Sequence, residues 1–202
     1  MKELFNIYQN YEELSDKGTR HSYIDFYEGL FLFFKNKEIN LLEVGVLNGA
    51  SLSMWQDYFV NAKNIVGLDW CGTDSPWLGR NGAPFPMVDT EFNAQRAKWD
   101  PNKVHTVEGD SRNPDVLEKP HIKENEFDII IDDGSHYYRN QLKTFSNLYP
   151  KLKTGGIYIV EDVKKLASWR FLLYYKELEP AHINFRPRKL NVFDDQLIVF
   201  FK

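Results

Sequence analysis

The sequence predicts an α/β domain of three layers, built on a seven-stranded sheet of order 3-2-1-4-5-7-6 in which only strand 7 is antiparallel. Three observations carry that prediction. Short apolar, β-branched runs alternate with segments of helical periodicity, the pattern of a parallel sheet with right-handed crossovers. The run FDIII (Phe127–Ile131) is mostly apolar and β-branched, as suits a strand covered on both sides. Finally, Ile183–Phe185 and Gln196–Phe201 read as two closing strands whose connection is too short for a parallel crossover.

The 202 residues fit one domain, 1–202, with residues 1–38 as a helical N-terminal cover and 70–98 as a lid-like insertion. A net charge of −4 with mixed signs leaves no basic stripe for phosphates, so nucleic acid is not an expected partner. The N-terminus is too charged for a secretory segment, and the apolar-rich run Tyr27–Phe34 is too short to cross a bilayer. One cysteine, Cys71, excludes an internal disulfide and a CxxC site. These features describe a cytoplasmic chain without a membrane partner.

Leu4, Ile7, Tyr8, Tyr11 and Leu14 recur at helical spacing over 3–14. Ser22 is placed to cap a second helix, roughly 23–35, with Phe26, Leu30, Phe33 and Phe34 as its core stripe. Between them, SDKGTRHSY carries Lys17, Thr19, His21 and Tyr23; by spacing alone it reads as a surface loop. The strand 40–46 leads into Gly45-x-x-x-Gly49 and a helix over 51–58, a place where backbone approaches a ligand closely. The spacing is not GxGxxG, which disfavours a dinucleotide oxidoreductase. Glu43 before the turn repels phosphate and suits an ammonium group. Asp69, ending the strand 65–68 about 20 residues after the turn, suits a ribose diol. In order, these features indicate a nucleoside-bearing cofactor.

Residues 70–98 hold Gly72, Pro76, Gly79, Gly82, Pro84 and Pro86 before a helical stretch at 90–99. A strand at 104–107 leads to Gly109–Asp110–Ser111, and a helix is expected over 138–149. Gly155–Gly156 turns into a strand at 156–160. A last helix over 165–178 has Leu166, Trp169, Leu172 and Leu173 as its apolar stripe. Two acidic clusters therefore sit at strand ends: Asp132–Asp133, with Ser135 and His136, and Glu161–Asp162. Neighbouring strands lie about 4.8 Å apart, so these carboxylates can converge on one cation. Alternation turns Asp132 away from Asp133, toward a bracing role.

ExGxxxGxS (Glu43–Ser51), Asp69, EGDS (Glu108–Ser111) and the terminal antiparallel pair resemble class I S-adenosylmethionine (SAM)-dependent methyltransferases, whose fold is a three-layer Rossmann-like sandwich. DKGTRHSY (Asp16–Tyr23), LLEVGVLNGASLSMW (Leu41–Trp55), IDDGSH (Ile131–His136) and VED (Val160–Asp162) resemble, more narrowly, the metal-dependent macrolide-sugar O-methyltransferases and their cephalosporin-hydroxylase-like relatives. The resemblance spans about residues 15–162 and implies a magnesium-dependent O-methyltransferase acting on a sugar hydroxyl. It places Glu43, Gly45, Gly49 and Ser51 at the methionine part of SAM, Asp69 at the ribose, and Asp110 and Ser111 at the adenine. It implies Asp133, Glu161 and Asp162 as magnesium ligands, with Asp133 and His136 at the reacting centre and His136 the general base. His21, Tyr23 and Tyr137 are the expected acceptor contacts, with His21 the second choice of base. A saccharide is the expected partner, and a homo-oligomer stays open. A catechol-like acceptor, or SAM binding without turnover, are the alternatives.

Overall fold

A computed structural model describes residues 3–70, 86–185 and 194–202. Its centre is strand β4, Phe127–Asp132, which pairs in parallel with β1 (Asn40–Val44) on one side and β5 (Leu152–Val160) on the other. Beyond β1 lie β2 (Asn64–Asp69) and β3 (Val104–Glu108); beyond β5 lie β7 (Gln196–Phe201) and the edge strand β6 (Ala181–Asn184). The order is β3-β2-β1-β4-β5-β7-β6, and β7 runs antiparallel to both its neighbours, as the sequence predicts.

Period-2 alternation gives the sheet two apolar faces. Leu41, Ile129, Ile131, Ile157 and Ile159 face a core shared with α1 (Glu3–Tyr8), α2 (Tyr23–Leu30) and α3 (Ala50–Tyr58). Leu42, Val44, Ile130, Tyr158 and Val160 face the core under α5 (Tyr138–Leu148) and α6 (Lys165–Tyr174). Leu4, Tyr8, Tyr27, Phe31 and Trp55 are all fully or almost fully buried in the first core. Each such side chain is worth about 1.5–3 kcal/mol on burial, so the N-terminal cover is held firmly against the sheet.

Several elements differ from the sequence reading. The first two helices end at Tyr8 and Leu30, and turns carry the chain onward to residues 14 and 36. In α2 and the turn after it, Tyr23, Ile24, Tyr27 and Phe31 form the buried stripe, while Phe33 is exposed. Ser22 does not cap α2; its hydroxyl and backbone N–H both donate to Asp195. Gly155 and Gly156 lie inside β5, at a register shift against β4, where a Cβ on Gly156 would meet the Asp128 carbonyl at 2.9 Å. In α6, Phe171 is buried and Leu173 exposed, and the helix stops at Tyr174, before a short 3-10 turn.

Helix α4 (Pro86–Arg96) begins with a proline, whose fixed φ suits a first helical position, earlier than the expected 90. It packs on α3: Ser53 donates to Gln95, and Trp99 donates to Ser53. The lid expected over 70–98 falls partly outside the described residues, at 71–85. Its second half is this docked helix.

Candidate active site

Alternation along three adjacent strands sets the site. Glu43 on β1, Asp133 just past β4 and Glu161 just past β5 all reach the face that the N-terminal segment covers. Each turn is tied to its neighbour: Asp133 N–H donates to Val44 O, and Glu161 N–H donates to Asp132 O, both at 2.9 Å. The two acidic clusters are therefore fixed side by side at the carboxyl edge of the sheet.

The segment 15–23 is not the surface loop its composition suggests. Lys17, His21 and Tyr23 are 2%, 2% and 1% exposed. Lys17 Nζ donates to Asp133 Oδ2 and to Glu161 Oε2, each at 2.6 Å, and stands 3.5 Å from Glu43 Oε1. Burial opposes its charge, but Asp133, Glu161 and Glu43 outweigh it and keep Lys17 an ammonium. Tyr27 donates to the other oxygen of Glu161 at 2.7 Å, and Tyr23 donates to Asp162 Oδ1 at 2.7 Å. Lys17 and Tyr27 are the residues of this cluster that spacing did not single out. A lysine in a short polar loop carries no sign that it will be buried among acids.

Asp133, His136 and Asp162 have ligand atoms all within 4.8 Å of one another. The His136 ring lies between the two acids, Nε2 at 3.4 Å from Asp133 Oδ1 and Nδ1 at 3.3 Å from Asp162 Oδ2. Burial works against an imidazolium there, yet Asp133, then Asp162 and Glu161, lift the His136 pKa to about 9. Burial also opposes ionised Asp133, but Lys17 and His136 hold it down at about 2. At Glu161 and Asp162 burial prevails, raising both. The cluster has more buried acid than fixed cation to neutralise it. Asp162 also adopts φ 53, a left-handed conformation that aspartate tolerates at a cost, common at functional sites.

Glu161, expected as the third oxygen ligand, lies outside that set because Lys17 and Tyr27 take its two oxygens. Asp132 is on the opposite face, where its Oδ1 accepts from Gly134 N–H at 3.3 Å. Burial lifts its pKa to about 7. His21 is buried with Nδ1 at 3.5 Å from Asp162 and 3.6 Å from Asp195, and its ring stacks on Tyr23. Tyr137, just after His136, is 74% exposed.

A cavity of about 350 Å³ opens between the 15–19 segment and the glycine turn, lined by Asp16, Lys17, Gly45, Asn48, Ser51 and Asp133 among others. That is the scale of a small-ligand site. Gly45 (φ 89) and Gly49 (φ 78) are both left-handed. Packing demands them as well: a Cβ at Gly45 would lie 2.2 Å from the Asp133 carbonyl oxygen, and one at Gly49 would lie 2.8 Å from the Trp99 ring. Asp69 Oδ2 accepts from Val46 and Leu47 N–H, and its Oδ1 from Trp70 N–H, so this acid also shapes the turn. Glu43 is fully buried, accepts from Trp55 Nε1 at 3.2 Å, and is pushed up to about 7 by burial. Asp110 is gripped by Arg112, while the Ser111 and Thr144 hydroxyls lie 2.7 Å apart.

The family description "Methyltransferase domain" matches residues 42–163. The chain is 32% identical over 157 residues to the 8-demethyl-8-alpha-L-rhamnosyl tetracenomycin-C 2'-O-methyltransferase of Streptomyces olivaceus, covering 74% of this chain and 35% of that one. It is 28% identical over 153 residues to the mycinamicin VI 2''-O-methyltransferase of Micromonospora griseorubida, covering 72% and 32%. Among solved structures, the MycE methyltransferase in complex with Mg, SAH and mycinamycin VI superposes with a TM-score of 0.67 at 21% identity, over 98% of this chain and 54% of that one. The chain thus spans about a third of these curated relatives' length and about half of that solved chain. The matched span runs from β1, past the glycine turn and the Asp133–His136 cluster, to just beyond Asp162, and the chain belongs to the methyltransferase-domain family.

Proposed function

We propose that this protein is a SAM-dependent O-methyltransferase that methylates a sugar hydroxyl with the help of a divalent cation, magnesium by its donor chemistry. The observation that carries this reading is the convergence of Asp133, His136 and Asp162 beside the glycine turn. The relatives named above are O-methyltransferases of glycosylated small molecules, which supports the acceptor class.

The residues fit the metal. Carboxylate oxygens suit magnesium, and the cluster holds more buried acid than Lys17 can neutralise. Asp133 and Asp162 would hold the cation, while Glu161, bound by Lys17 and Tyr27, would stand behind them as a further negative charge. A divalent ion in that cradle supplies Lewis acidity, which makes an acceptor hydroxyl easier to deprotonate.

By the family resemblance Glu43 would lie on the methionine side of SAM and Asp69, which also braces the glycine turn, on the ribose side. The sulfonium arrives already activated, so alignment is the remaining task. The acceptor oxygen attacks the methyl carbon, the carbon–sulfur bond breaks, and the hydroxyl proton passes to His136. The products are a methyl ether and S-adenosylhomocysteine. His136 needs a lower pKa than about 9 to serve at neutral pH, and the acids that raise it are those a cation would neutralise.

Labelled SAM offered with a panel of glycosides and nucleotide sugars, with magnesium or with EDTA, tests this. Magnesium-dependent label transfer to a sugar supports it. Binding of SAM without transfer to any polyol makes the protein a SAM-binding protein instead.

A further inference from the structure

The chain is acidic overall, yet the ground beside His136 is basic and aromatic. Tyr137 stands 74% exposed, with Lys164 Nζ 5.7 Å from its ring centroid. Next to it, two guanidinium groups approach the Tyr138 ring: Arg139 Cζ at 5.7 Å and Arg170 Cζ at 5.2 Å from its centroid. Arg139 Nε donates to the Tyr138 hydroxyl at 2.9 Å, and Arg170 donates to the Tyr174 hydroxyl at 3.1 Å. Among the described residues no carboxylate pairs with either arginine. Each guanidinium therefore keeps most of its five donors. Two such groups at one ring concentrate positive charge where an anion is favoured.

We propose that this ledge binds the acceptor as a nucleoside diphosphate sugar, with the diphosphate on Arg139 and Arg170, the base on the exposed Tyr137 ring, and the sugar toward His136. The inference rests on the sugar-methylation reading and narrows it. Guanidinium groups match phosphate oxygens in geometry as well as charge. The exposed Tyr137 ring decides between anionic sugars: a planar base stacks on it, whereas an acidic polysaccharide presents charge but no flat face. Lys164 beside Tyr137 adds a third positive charge. Methylation then precedes glycosyl transfer, and the methylated product is consumed by a reaction of that class.

Calorimetry on the whole chain with SAH present and EDTA added tests the ledge without the nucleotide's own affinity for metal. The probes are UDP-glucose, dTDP-glucose, methyl α-glucoside and an oligogalacturonate, at low and high salt. A nucleotide sugar should bind at least about tenfold more tightly than the neutral glucoside and weaken as salt rises. The double variant R139Q/R170Q should lose about tenfold or more of that affinity, and Y137A should weaken nucleotide sugars but not the oligogalacturonate. SAH affinity should be the same in both variants, which shows them folded. Nucleotide sugars that bind no better than methyl α-glucoside, or that ignore R139Q/R170Q, overturn the proposal, as does preference for the oligogalacturonate. Sugar methylation with neutral glycosides would survive that outcome. Conversely, failure to bind SAH with an intact ledge would remove the methyltransferase reading and leave the subsite standing.

Discussion

Lys17 and Glu161, 144 residues apart in the chain, meet at 2.6 Å in the interior, with Asp133 at the same distance from the same ammonium. This contact ties the N-terminal cover to the ends of β4 and β5. Tyr23 and Tyr27 add neutral hydroxyl bonds to Asp162 and Glu161, and through Lys17 the cover also contributes charge to the site.

Replacing Lys17 with methionine should destabilise the fold by about 3–5 kcal/mol, the usual cost of leaving buried charges unpaired. Urea unfolding of Lys17→Met against wild type measures it. A loss below about 1 kcal/mol would mean the acids find compensation elsewhere.

Asp133→Asn should abolish divalent-cation binding, followed by manganese titration, while leaving SAH affinity intact. His136→Ala should keep SAH binding and lower turnover by roughly two to four orders of magnitude, the range for a lost general base. Near-normal turnover in His136→Ala would transfer the base role to His21. Full activity after exhaustive chelation would end the metal mechanism.

Gly45→Ala and Gly29→Ala should move stability in opposite directions. At Gly45 the left-handed backbone alone costs about 1–2 kcal/mol for an L-residue, and a Cβ there also collides with the Asp133 carbonyl. At Gly29, inside α2, a Cβ meets nothing within 4 Å, so alanine should stabilise by about 0.5–1 kcal/mol. Thermal denaturation of the two variants checks both signs.

His105 and His121 stack at 3.9 Å at the edge strand β3. Burial, and then His121, lower the His105 pKa from its ordinary 6.5. The unfolded chain therefore binds more protons than the folded one between those two values. Stability should be full above the ordinary histidine range and fall as the pH drops through it. His121→Asn should flatten that fall in unfolding free energy between pH 7.5 and 5.5. A slope unchanged by the substitution would place its origin elsewhere.

The sheet was legible because its signals are local. Phe127–Ile131 is apolar but for Asp128, Gly45 and Gly49 punctuate a strand and a helix, and the 186–195 connection is too short for a crossover. Helix ends were less legible. After Tyr8 and Leu30 the apolar periodicity runs on while the chain leaves the helix, since buried turns satisfy the same pattern.

By itself the sequence determined the strand order and the meeting of two acidic clusters, because alternation and crossover handedness allow few arrangements. Only the tertiary structure decided what neutralises those acids. Lys17 is one more polar residue in a turn until α1 and α2 dock and carry it under the sheet edge. Glu161 and Asp162 are sequence neighbours, yet the first is bound by Lys17 and Tyr27 while the second faces His136. Asp69, expected at a ligand, is drawn largely into the backbone of the glycine turn. Such assignments depend on distances across the fold, where a few ångströms in a low-dielectric interior separate an ion pair from an orphaned charge.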